Sequence, residues 1–238
     1  RYVMQATLQS AVMPATRPPS TKAPPAQTAN IVKTDGRRLN ADSTRAALQR
    51  EARKLFGQQG YDATALSQIC EAAGATTGAL YHHFGDKKGL FAAVAEALDA
   101  DLVSLAGGAS AHALAAGGDA WDAFLAAIDA FLKAGQSAPG RRIGLTDAPA
   151  VLGADVWLAI RERHGLGAMV QTVTALQSAG HLPPGDPVRR ARLVLGLLYG
   201  AVEALPKDAA QLPRAMADTR QLVHSMLGAM RVQNTPAG

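Results

Sequence analysis

Three side chains between residues 64 and 87 carry groups that can bind phosphate. Thr64 and Tyr81 offer hydroxyl donors, and Lys87 offers an ammonium group beside a predicted helix start. Thr64 is also placed at a predicted helix N-terminus, where backbone N–H groups favour anions. Contacts of this kind fix the register of a protein on a nucleic acid without reading its sequence. A core position for the Tyr81 ring is compatible with this role, because its hydroxyl can stay exposed.

Side chains suited to reading bases are few in the same segment. Its outward face presents small or weakly polar residues: Thr76, Thr77, Ala79 and His82. Because Arg, Asn and Gln are absent there, bidentate readout of guanine or adenine is not expected. Thr77 and Ala79 suit thymine methyl groups, and Gly78 lets the backbone approach closely. We therefore expect specificity to depend on methyl contacts, on DNA shape and on nearby basic residues, namely Arg37, Arg38 and Arg45.

Two short helices joined by a glycine turn must position these groups. Apolar residues recur at helical spacing in the first: Leu66, Ile69, Cys70 and Ala73. Thr64 is its expected N-cap, Gly74 ends it, and Thr76 caps the next helix. That second helix has only Leu80 and Phe84 as an apolar pair, so its neighbours must support it. A helix-turn-helix supports its recognition helix in this way and inserts it into the DNA major groove.

The segment resembles the recognition segment of the TetR family of bacterial transcriptional repressors. The resemblance rests on residues at fixed spacing: Gly74, Thr76, Gly78, Leu80, Tyr81, His82, His83, Phe84, Asp86, Lys87 and Leu90. A further set lies upstream: Ala52, Leu55, Phe56, Gly60, Tyr61, Ala63 and Thr64. Together they cover residues 43 to 95. A second, weaker resemblance, to the ligand-binding half of one TetR branch, lies in the sequence DAPAVLG from Asp147 to Gly153.

The resemblance implies an all-α fold with an N-terminal three-helix helix-turn-helix DNA-binding domain and a C-terminal helical domain for ligand binding and dimerisation. Tyr81 and Lys87 match positions that contact phosphate in the family. The expected divisions are a Pro-rich, basic, disordered arm at 1–40, the DNA-binding domain at 41–88, the ligand-binding and dimerisation domain at 89–232, and a disordered tail at 233–238. Basic residues of the arm either reach phosphates and the minor groove or only solubilise the chain.

Charge is distributed unevenly along the chain. Residues 1–91 contain 12 Lys/Arg and 6 Asp/Glu, and the remainder contains 12 and 13. A basic part beside a nearly neutral part favours double-stranded DNA as a partner of the first part only. Cys70 is the only cysteine, which excludes a disulfide within the chain and suits a cytoplasmic protein. The longest apolar run, 193–202, is too short for a membrane span, which takes about 20 residues.

Helical spacing continues through the rest of the chain. The first helix is expected from Ser43 to Gln59, with Ser43 as its cap. A long helix is expected to begin after Asp86 and to end near Ala106, before Gly107 and Gly108. Expected start signals downstream are Asp119, Asp147 and Asp186.

The last two helices carry apolar residues spaced four and three apart, which forms a seam for another helix. On the first helix these are Ala191, Leu195, Leu198, Val202 and Leu205. On the last they are Leu212, Met216, Thr219, Val223, Met226 and Met230. In the TetR family the last two helices of both subunits form a four-helix bundle, which implies a homodimer through these helices. The spacing alone is equally compatible with packing inside one chain.

The second domain is expected to bind an unknown small-molecule inducer. Candidate pocket residues are aromatic, amphipathic or charged: Trp121, Phe124, Phe131, Arg141, Asp147, Trp157, His164, Tyr199 and Glu203. No cofactor, metal site or catalytic motif is expected. His82 and His83 are adjacent, so on a helix they point about 100° apart and cannot chelate one ion.

The sequence therefore predicts a TetR-like transcriptional regulator that is not an enzyme. We expect a repressor that binds a palindromic operator as a homodimer and is released by a small-molecule inducer. One alternative is a transcriptional activator or dual regulator. Another is a helical small-molecule-binding protein or enzyme that has lost DNA binding, against which Thr64, Tyr81 and Lys87 argue.

Overall fold

Helices are the only regular secondary structure over the residues that the computed structural model describes, 28–206 and 208–232, with side chains described from Asn40 onward. The α-helices are α1 (Thr28–Gln59), α2 (Leu66–Ala73), α3 (Thr77–Phe84), α4 (Lys87–Ala115), α5 (Ala120–Ala134), α6 (Ala138–Arg141), α7 (Ala148–Leu152), α8 (Ala154–Arg161), α9 (Gly167–Ser178), α10 (Pro187–Glu203) and α11 (Leu212–Gly228). Two π-helical segments, Arg142–Asp147 and Glu162–Leu166, join α6 to α7 and α8 to α9. The expected all-α fold is confirmed. None of these helices is long and apolar enough to cross a membrane.

Helix α1 begins at Thr28, so the expected start at Ser43 is wrong. The last proline before it is Pro25, and every later residue of α1 has the N–H group that an α-helical hydrogen bond needs. Residues 1–27 of the expected arm and the expected tail at 233–238 lie outside the described residues. The side chains of Lys33, Arg37 and Arg38 also lie outside them, so their expected contacts with DNA stay predictions.

Helix α4 is longer than expected, because it continues through Gly107 and Gly108 to Ala115. The predicted end near Ala106 is wrong. Glycine in a helix interior costs about 0.5–1 kcal/mol relative to alanine. Packing of α4 along α5 compensates for this cost, and no other pair of helices shares so extensive a contact in the described chain.

The expected aspartate caps at the starts of α4, α5 and α10 are confirmed. The carboxylate of Asp86 accepts a hydrogen bond from Gly89 N–H at the start of α4. Asp119 and Asp186 accept from backbone N–H groups in the first turns of α5 and α10. Each cap satisfies N–H groups that have no partner inside the helix.

Two apolar cores hold these helices together. The first joins α1, α2 and α3 to the first half of α4 and to α7 and α8, and its buried residues include Leu48, Phe56, Ile69, Leu80, Phe91 and Trp157. The second joins α5, α9, α10 and α11 through Trp121, Phe124, Leu176, Leu198 and Leu227. Burying one such side chain contributes about 1.5–3 kcal/mol. The first core crosses the domain boundary expected at residue 88, and that division stays a prediction.

Candidate nucleic-acid interface and ligand cavity

Helix α3 is held in place at its start, in its middle and by the turn before it. The Thr76 hydroxyl accepts a hydrogen bond from Ala79 N–H at 3.2 Å, which confirms Thr76 as the N-cap. Gly74 has a φ of 62°, in the left-handed region that glycine enters without steric cost, and this allows the tight turn after α2. Leu80 is fully buried and anchors α3 to the first core.

The side of α3 away from Leu80 is open to solvent. Tyr81 is 51% exposed, so its hydroxyl is accessible. The other residues predicted to face DNA are exposed or, for Ala79, half-buried: Thr76, Thr77, Gly78, Ala79 and His82. We call these five residues and Tyr81 the α3 face. It offers hydroxyl, methyl and imidazole groups and no guanidinium or amide side chain.

Two cations lie at the C-terminal end of the α3 face. Lys87 is the first residue of α4, and its Nζ lies 4.4 Å from the ring centroid of Tyr61. The same ammonium donates to the carbonyl oxygen of Asp62 at 3.4 Å. Arg45 of α1 is exposed, and its guanidinium carbon lies 5.6 Å from the ring centroid of Phe84, the last residue of α3.

Thr64 does not take either of its predicted roles. Its side chain is fully buried, and its hydroxyl donates to the carbonyl oxygen of Gly60 at 2.7 Å. The N-cap position of α2 is Ala65, whose N–H donates to the side-chain oxygen of Gln68 at 3.0 Å. The predictions of an N-cap and of a phosphate contact at Thr64 are therefore wrong, because the hydroxyl is enclosed and already paired.

The rings of the two adjacent histidines of α3 lie side by side. The ring centroids of His82 and His83 lie 5.2 Å apart and the rings cross at 66°. Among the side chains from Asn40 onward that the structure describes, no group of three or more His, Cys, Asp or Glu could hold a metal ion. His83 is half-buried beside the Phe84 ring, whereas His82 is exposed on the α3 face.

A cavity of about 330 Å³ lies among α4, α5, α6, the first π-helical segment, α8 and α10. Most of its wall is apolar and includes Leu98, Leu102, Ile143, Leu145 and Val202. Sites for small molecules usually have volumes of about 300–1,000 Å³, so this one suits a compact ligand. Four of the predicted pocket residues line it: Phe131, Arg141, Trp157 and Tyr199.

Two predicted aromatic pocket residues belong to the second core. Trp121 and Phe124 are buried, with ring centroids 5.4 Å apart, and neither lines this cavity. Phe124 lines a neighbouring cavity, which shares Asp99, Phe131 and Tyr199 with the first. Core and pocket use the same aromatic residue types, so sequence alone did not separate them.

The predicted charged pocket residues outside the cavity have other partners or face solvent. His164 lies 3.1 Å from a carboxylate oxygen of Glu96, which also accepts from Arg163. Burial raises the pKa of Glu96, but these hydrogen bonds outweigh it and hold that pKa below its ordinary value. Glu203 is exposed at the end of α10. Neither His164 nor Glu203 lines the cavity.

Four connected polar side chains line the cavity, and we call them the polar cluster: Asp99, Trp157, Arg161 and Tyr199. The Tyr199 hydroxyl donates to Asp99 Oδ1 at 3.2 Å. The guanidinium carbon of Arg161 lies 3.9 Å from the ring centroid of Tyr199 and 4.8 Å from that of Trp157. Arg161 also donates to the carbonyl oxygen of Gly144 at 3.4 Å.

Sequence reasoning missed Asp99 and Arg161. Asp99 follows Leu98 in the apolar stripe of α4, and Arg161 lies one helical turn after Trp157. A charged residue within a turn of large apolar residues on a buried helix was the available signal, because neighbours at i and i+4 share a face. Such a charged residue indicates a functional site only when the helix face that carries it is buried.

Burial raises the pKa values of two side chains in the polar cluster, Asp99 and Tyr199. It raises the pKa of Asp99, against the lowering effect of the Tyr199 hydrogen bond and of the Arg161 and His164 charges. Burial also raises the pKa of Tyr199, so its hydroxyl keeps its proton and remains a donor. Within the described part of the chain, three buried side-chain atoms have no hydrogen-bond partner in the protein: Asp99 Oδ2, Trp157 Nε1 and Arg161 Nε.

The first π-helical segment connects the cavity to the N-terminal helices. It contributes to the cavity wall, while Asp147 at its end accepts a hydrogen bond from Tyr61 N–H at 2.9 Å. Arg142 donates to the carbonyl oxygen of Gln58 at 2.6 Å. The start signal expected at Asp147 is confirmed, because α7 begins directly after it with Pro149 in its first turn. The Asp147 carboxylate makes no cap bond in α7, because it accepts from Tyr61 N–H instead.

Helices α10 and α11 bury one side and leave apolar residues exposed on another. The seam residues Ala191, Leu198, Val202 and Val223 are buried in the second core. The three most exposed of their large apolar side chains are Leu193, Leu222 and Met226. Gly196 and Gly200 have open space where a side chain would project. We call the three apolar residues and two glycines the α10–α11 surface.

Two protein-family models match the chain. The model described as bacterial regulatory proteins, tetR family, matches residues 49–94, which include α2 and α3. The model described as tetracyclin repressor-like, C-terminal domain, matches residues 121–229, which include the range from α5 to α11.

Known regulators are similar to parts of the chain. The HTH-type transcriptional regulator AcrR of Shigella flexneri is 42% identical over 65 residues, which are 27% of this chain and 30% of AcrR. The HTH-type transcriptional repressor ComR of Escherichia coli is 53% identical over 49 residues, 21% of this chain and 23% of ComR. The chain thus matches less than a third of the length of either curated relative.

Several solved structures are similar to the chain over nearly their whole length. Among them is a TetR-family transcriptional regulator from Pectobacterium atrosepticum, with 33% sequence identity and a TM-score of 0.69. The match covers 82% of this chain and 98% of that protein.

Proposed function

Because the chain belongs to the TetR family of transcriptional regulators, we propose that it represses transcription by binding a palindromic operator as a homodimer, and that a small molecule releases it. The observation that carries this proposal is the first π-helical segment, which touches both the cavity and the helices that support α3. The protein acts in the cytoplasm, where its DNA target lies.

The α3 face enters the major groove. Tyr81 donates a hydrogen bond from its exposed hydroxyl to a phosphate. Lys87 and Arg45 approach phosphates at the C-terminal end of α3. Thr77 and Ala79 contact thymine methyl groups. Since this face has no side chain for bidentate base readout, methyl contacts and DNA shape contribute more to specificity than hydrogen bonds to guanine or adenine.

Two copies of the chain associate through α10 and α11. Exposed Leu193, Leu222 and Met226 would leave water in a dimer, and Gly196 and Gly200 would let helices approach closely. A two-fold dimer presents its two recognition helices to half-sites one helical turn, about 34–36 Å, apart. Operator palindromy follows from this symmetry.

Ligand binding in the cavity changes the placement of α3 through α4 and the first π-helical segment. Arg142 and Asp147 transmit a displacement of that segment to Gln58 and Tyr61, which lie at the end of α1 and in the turn that follows. The ligand releases DNA only to the extent that it binds the DNA-free form more tightly.

The test is a selection of genomic DNA fragments by the full chain, followed by mobility-shift titrations at several salt concentrations. We expect a palindromic site, bound as a dimer, with affinity that falls steeply with salt. Tyr81→Ala should weaken binding at least fivefold, while Tyr2→Ala, outside the described residues, serves as the control for loss of a tyrosine. Selection of no DNA at all would refute the proposal.

A reporter gene fused to the selected site decides the sign of regulation. We expect lower expression in the presence of the chain and recovery in a Tyr81→Ala strain. Higher expression in the presence of the chain would identify the activator or dual regulator instead.

A further inference from the structure

The three unpaired atoms of the polar cluster belong to residues that line one cavity. Asp99 is 2% exposed and Trp157 is 6% exposed, so neither side chain finds solvent to satisfy its free polar atom. A buried polar atom without a partner costs about 1–3 kcal/mol, and more when charged. Such atoms are uncommon in native proteins. Three of them on residues that line a single cavity point to a polar group on the ligand.

Two of the three atoms can only donate hydrogen bonds. Trp157 Nε1 and Arg161 Nε carry N–H groups and have no acceptor capacity. The ligand group that pairs with them must therefore have a lone pair. A ligand amine in its ammonium form lacks one, and it would also meet the positive charge of Arg161.

Asp99 Oδ2 can accept or donate, depending on its proton. Burial raises the pKa of Asp99, which favours the protonated form more than water does. A hydroxyl group both donates and accepts, so it pairs with Oδ2 in either form while it accepts from Trp157 or Arg161. A ligand carboxylate can only accept, and it would place a second negative charge beside an ionised Asp99.

The rest of the cavity sets the body of the ligand. Its other walls are mainly aliphatic and aromatic, and its volume is at the lower end of the range for small-molecule sites. The wall also includes Arg53 and Asp101, which pair with each other, and Arg141, which donates to the carbonyl oxygens of Leu205 and Pro206. Within the polar cluster, Asp99 and Arg161 supply one negative and one positive group, and a hydroxyl group pairs with both without adding charge. The aromatic rings of Phe131 and Tyr199, with centroids 5.5 Å apart, add flat apolar surface.

We propose that the ligand of this cavity is a compact, uncharged molecule with an apolar, preferably aromatic, body and a hydroxyl group that pairs with Asp99, Trp157 and Arg161. The effector role of this ligand rests on the function proposed above. The binding of this ligand in the cavity does not depend on that function.

Calorimetric titration of the full chain with three matched probes tests the proposal without DNA. The probes are 4-ethylphenol, ethylbenzene and 4-ethylbenzoate, which share a body and differ in the polar group. We expect 4-ethylphenol to bind at least tenfold more tightly than either of the others. Equal or tighter binding of ethylbenzene or of 4-ethylbenzoate would overturn the proposal.

Trp157→Phe and Asp99→Leu identify the site. Trp157→Phe removes one N–H and keeps an aromatic ring, so it should reduce the preference for 4-ethylphenol over ethylbenzene by about fivefold. Trp121→Phe makes the same change in the second core, outside the cavity, and should leave the preference unchanged. If Asp99→Leu does not fold, the two tryptophan variants still test the location of the site. An equal preference for 4-ethylphenol over ethylbenzene in Trp157→Phe and Trp121→Phe would contradict the assignment.

Mobility-shift titration of the same protein separates this inference from the proposed function. If the chain binds an operator but shows no preference for 4-ethylphenol, the inference fails and DNA binding stands. If it prefers 4-ethylphenol but selects no DNA, the proposed function fails and the ligand assignment stands.

Discussion

Lys87 combines packing contacts with the phosphate contact that we propose for it. Its ammonium lies over the Tyr61 ring and bonds to the Asp62 carbonyl, so its position beside α3 is set before DNA arrives. A side chain that is already ordered loses less conformational entropy when it binds phosphate. The cation–π contact with Tyr61 contributes about 0.5–1 kcal/mol at such a partly exposed site.

Replacement of Lys87 by alanine should weaken binding to all DNA sequences similarly. Because one phosphate contact is lost, the slope of log K against log salt should become shallower by about one. Mobility shifts at four or more salt concentrations measure this slope. Lys133→Ala, an exposed lysine on α5, is the matched control and should leave it unchanged. Identical slopes for both variants would remove Lys87 from the interface.

Asp99 illustrates a residue that costs stability. Because burial holds its pKa above the ordinary value, the folded chain binds this proton more tightly than the unfolded chain does. Its contribution to stability is therefore full below the unfolded pKa, about 3.9, and is lost as the pH rises through the folded value. Sites that bind ligands often carry such a cost.

The variant Asp99→Asn should accordingly be more stable than the parent at pH 7, by about 1 kcal/mol. The gain should shrink as the pH falls toward 4, because the parent carboxyl group is then protonated. Urea denaturation across this pH range, without ligand, measures the difference. Asp155→Asn changes an exposed aspartate of α8 and should show no such trend. A variant less stable at pH 7 would contradict the cost assigned to Asp99.

At the scale of helices, one carboxylate on α5 forms polar contacts with two residues of α11. Asp129 accepts two hydrogen bonds from Arg220, at 2.7 and 2.6 Å, and lies 2.8 Å from His224. Burial raises the pKa of Asp129, but these hydrogen bonds and charges outweigh it and lower that pKa. The pair therefore stabilises the chain above the unfolded pKa of about 3.9, and this stabilisation is lost as the pH falls through the folded value.

Removing this charge should destabilise the chain mainly near neutral pH. Asp129→Asn is expected to lose about 1 kcal/mol at pH 7, since Arg220 is more than half exposed and water screens the pair. The loss should fade toward pH 3. Thermal unfolding as a function of pH measures it, and Asp218→Asn, an exposed aspartate of α11, is the control. A loss that does not depend on pH would argue for packing instead of charge.

The first π-helical segment is the element through which we propose that ligand binding affects DNA binding. π-Helical geometry is rare and is frequently found at functional sites. Asp147 and Arg142 carry the contacts with Tyr61 N–H and the Gln58 carbonyl, whereas the segment's wall-lining residues meet the cavity. A shift of the segment on ligand binding would reach α1 and the turn before α2 directly.

Breaking the Asp147 contact should uncouple the two sites. We expect Asp147→Ala to keep operator binding within about threefold and to reduce the effect of ligand on operator affinity, a coupling of about 1–3 kcal/mol in typical cases. Mobility shifts with and without 4-ethylphenol give the coupling, and Asp155→Ala is the control on α8. Full release by ligand in Asp147→Ala would exclude this route.

At the scale of the whole molecule, the α10–α11 surface is the site that we propose for dimer formation. Leu222 is 59% exposed and Met226 is 53% exposed, although each lies within a turn of a buried residue of α11. Stable protein interfaces bury about 1,200–2,000 Å² in total, with apolar residues at their centre. Two helices with exposed leucine and methionine offer such a centre.

A charge on this surface should prevent dimer formation. Leu222→Glu is expected to sediment as a monomer and to lose at least tenfold in operator affinity, because two half-sites are no longer bound together. Leu158→Glu, on α8 and 56% exposed, is the matched control and should remain dimeric. Analytical ultracentrifugation gives the mass, and a dimeric Leu222→Glu variant would place the interface elsewhere.

Several features followed from the sequence alone because their causes are local. Thr76, Asp86, Asp119 and Asp186 were identified as caps from residue type and position, and the structure confirms each one. The turn at Gly74 followed from the glycine between two apolar-periodic segments. Family membership also came from local spacing, because the recognition segment is continuous in the chain.

Only the tertiary structure decided what becomes enclosed. The polar cluster combines α4, α8 and α10, and its Asp99–Tyr199 hydrogen bond joins residues 100 positions apart. Thr64 was misjudged for the same reason, since its type suits a cap but its surroundings bury it. Helical periodicity tells which side of each helix is apolar. It does not show which helices pack together, and burial, unpaired polar atoms and shifted pKa values all depend on that packing.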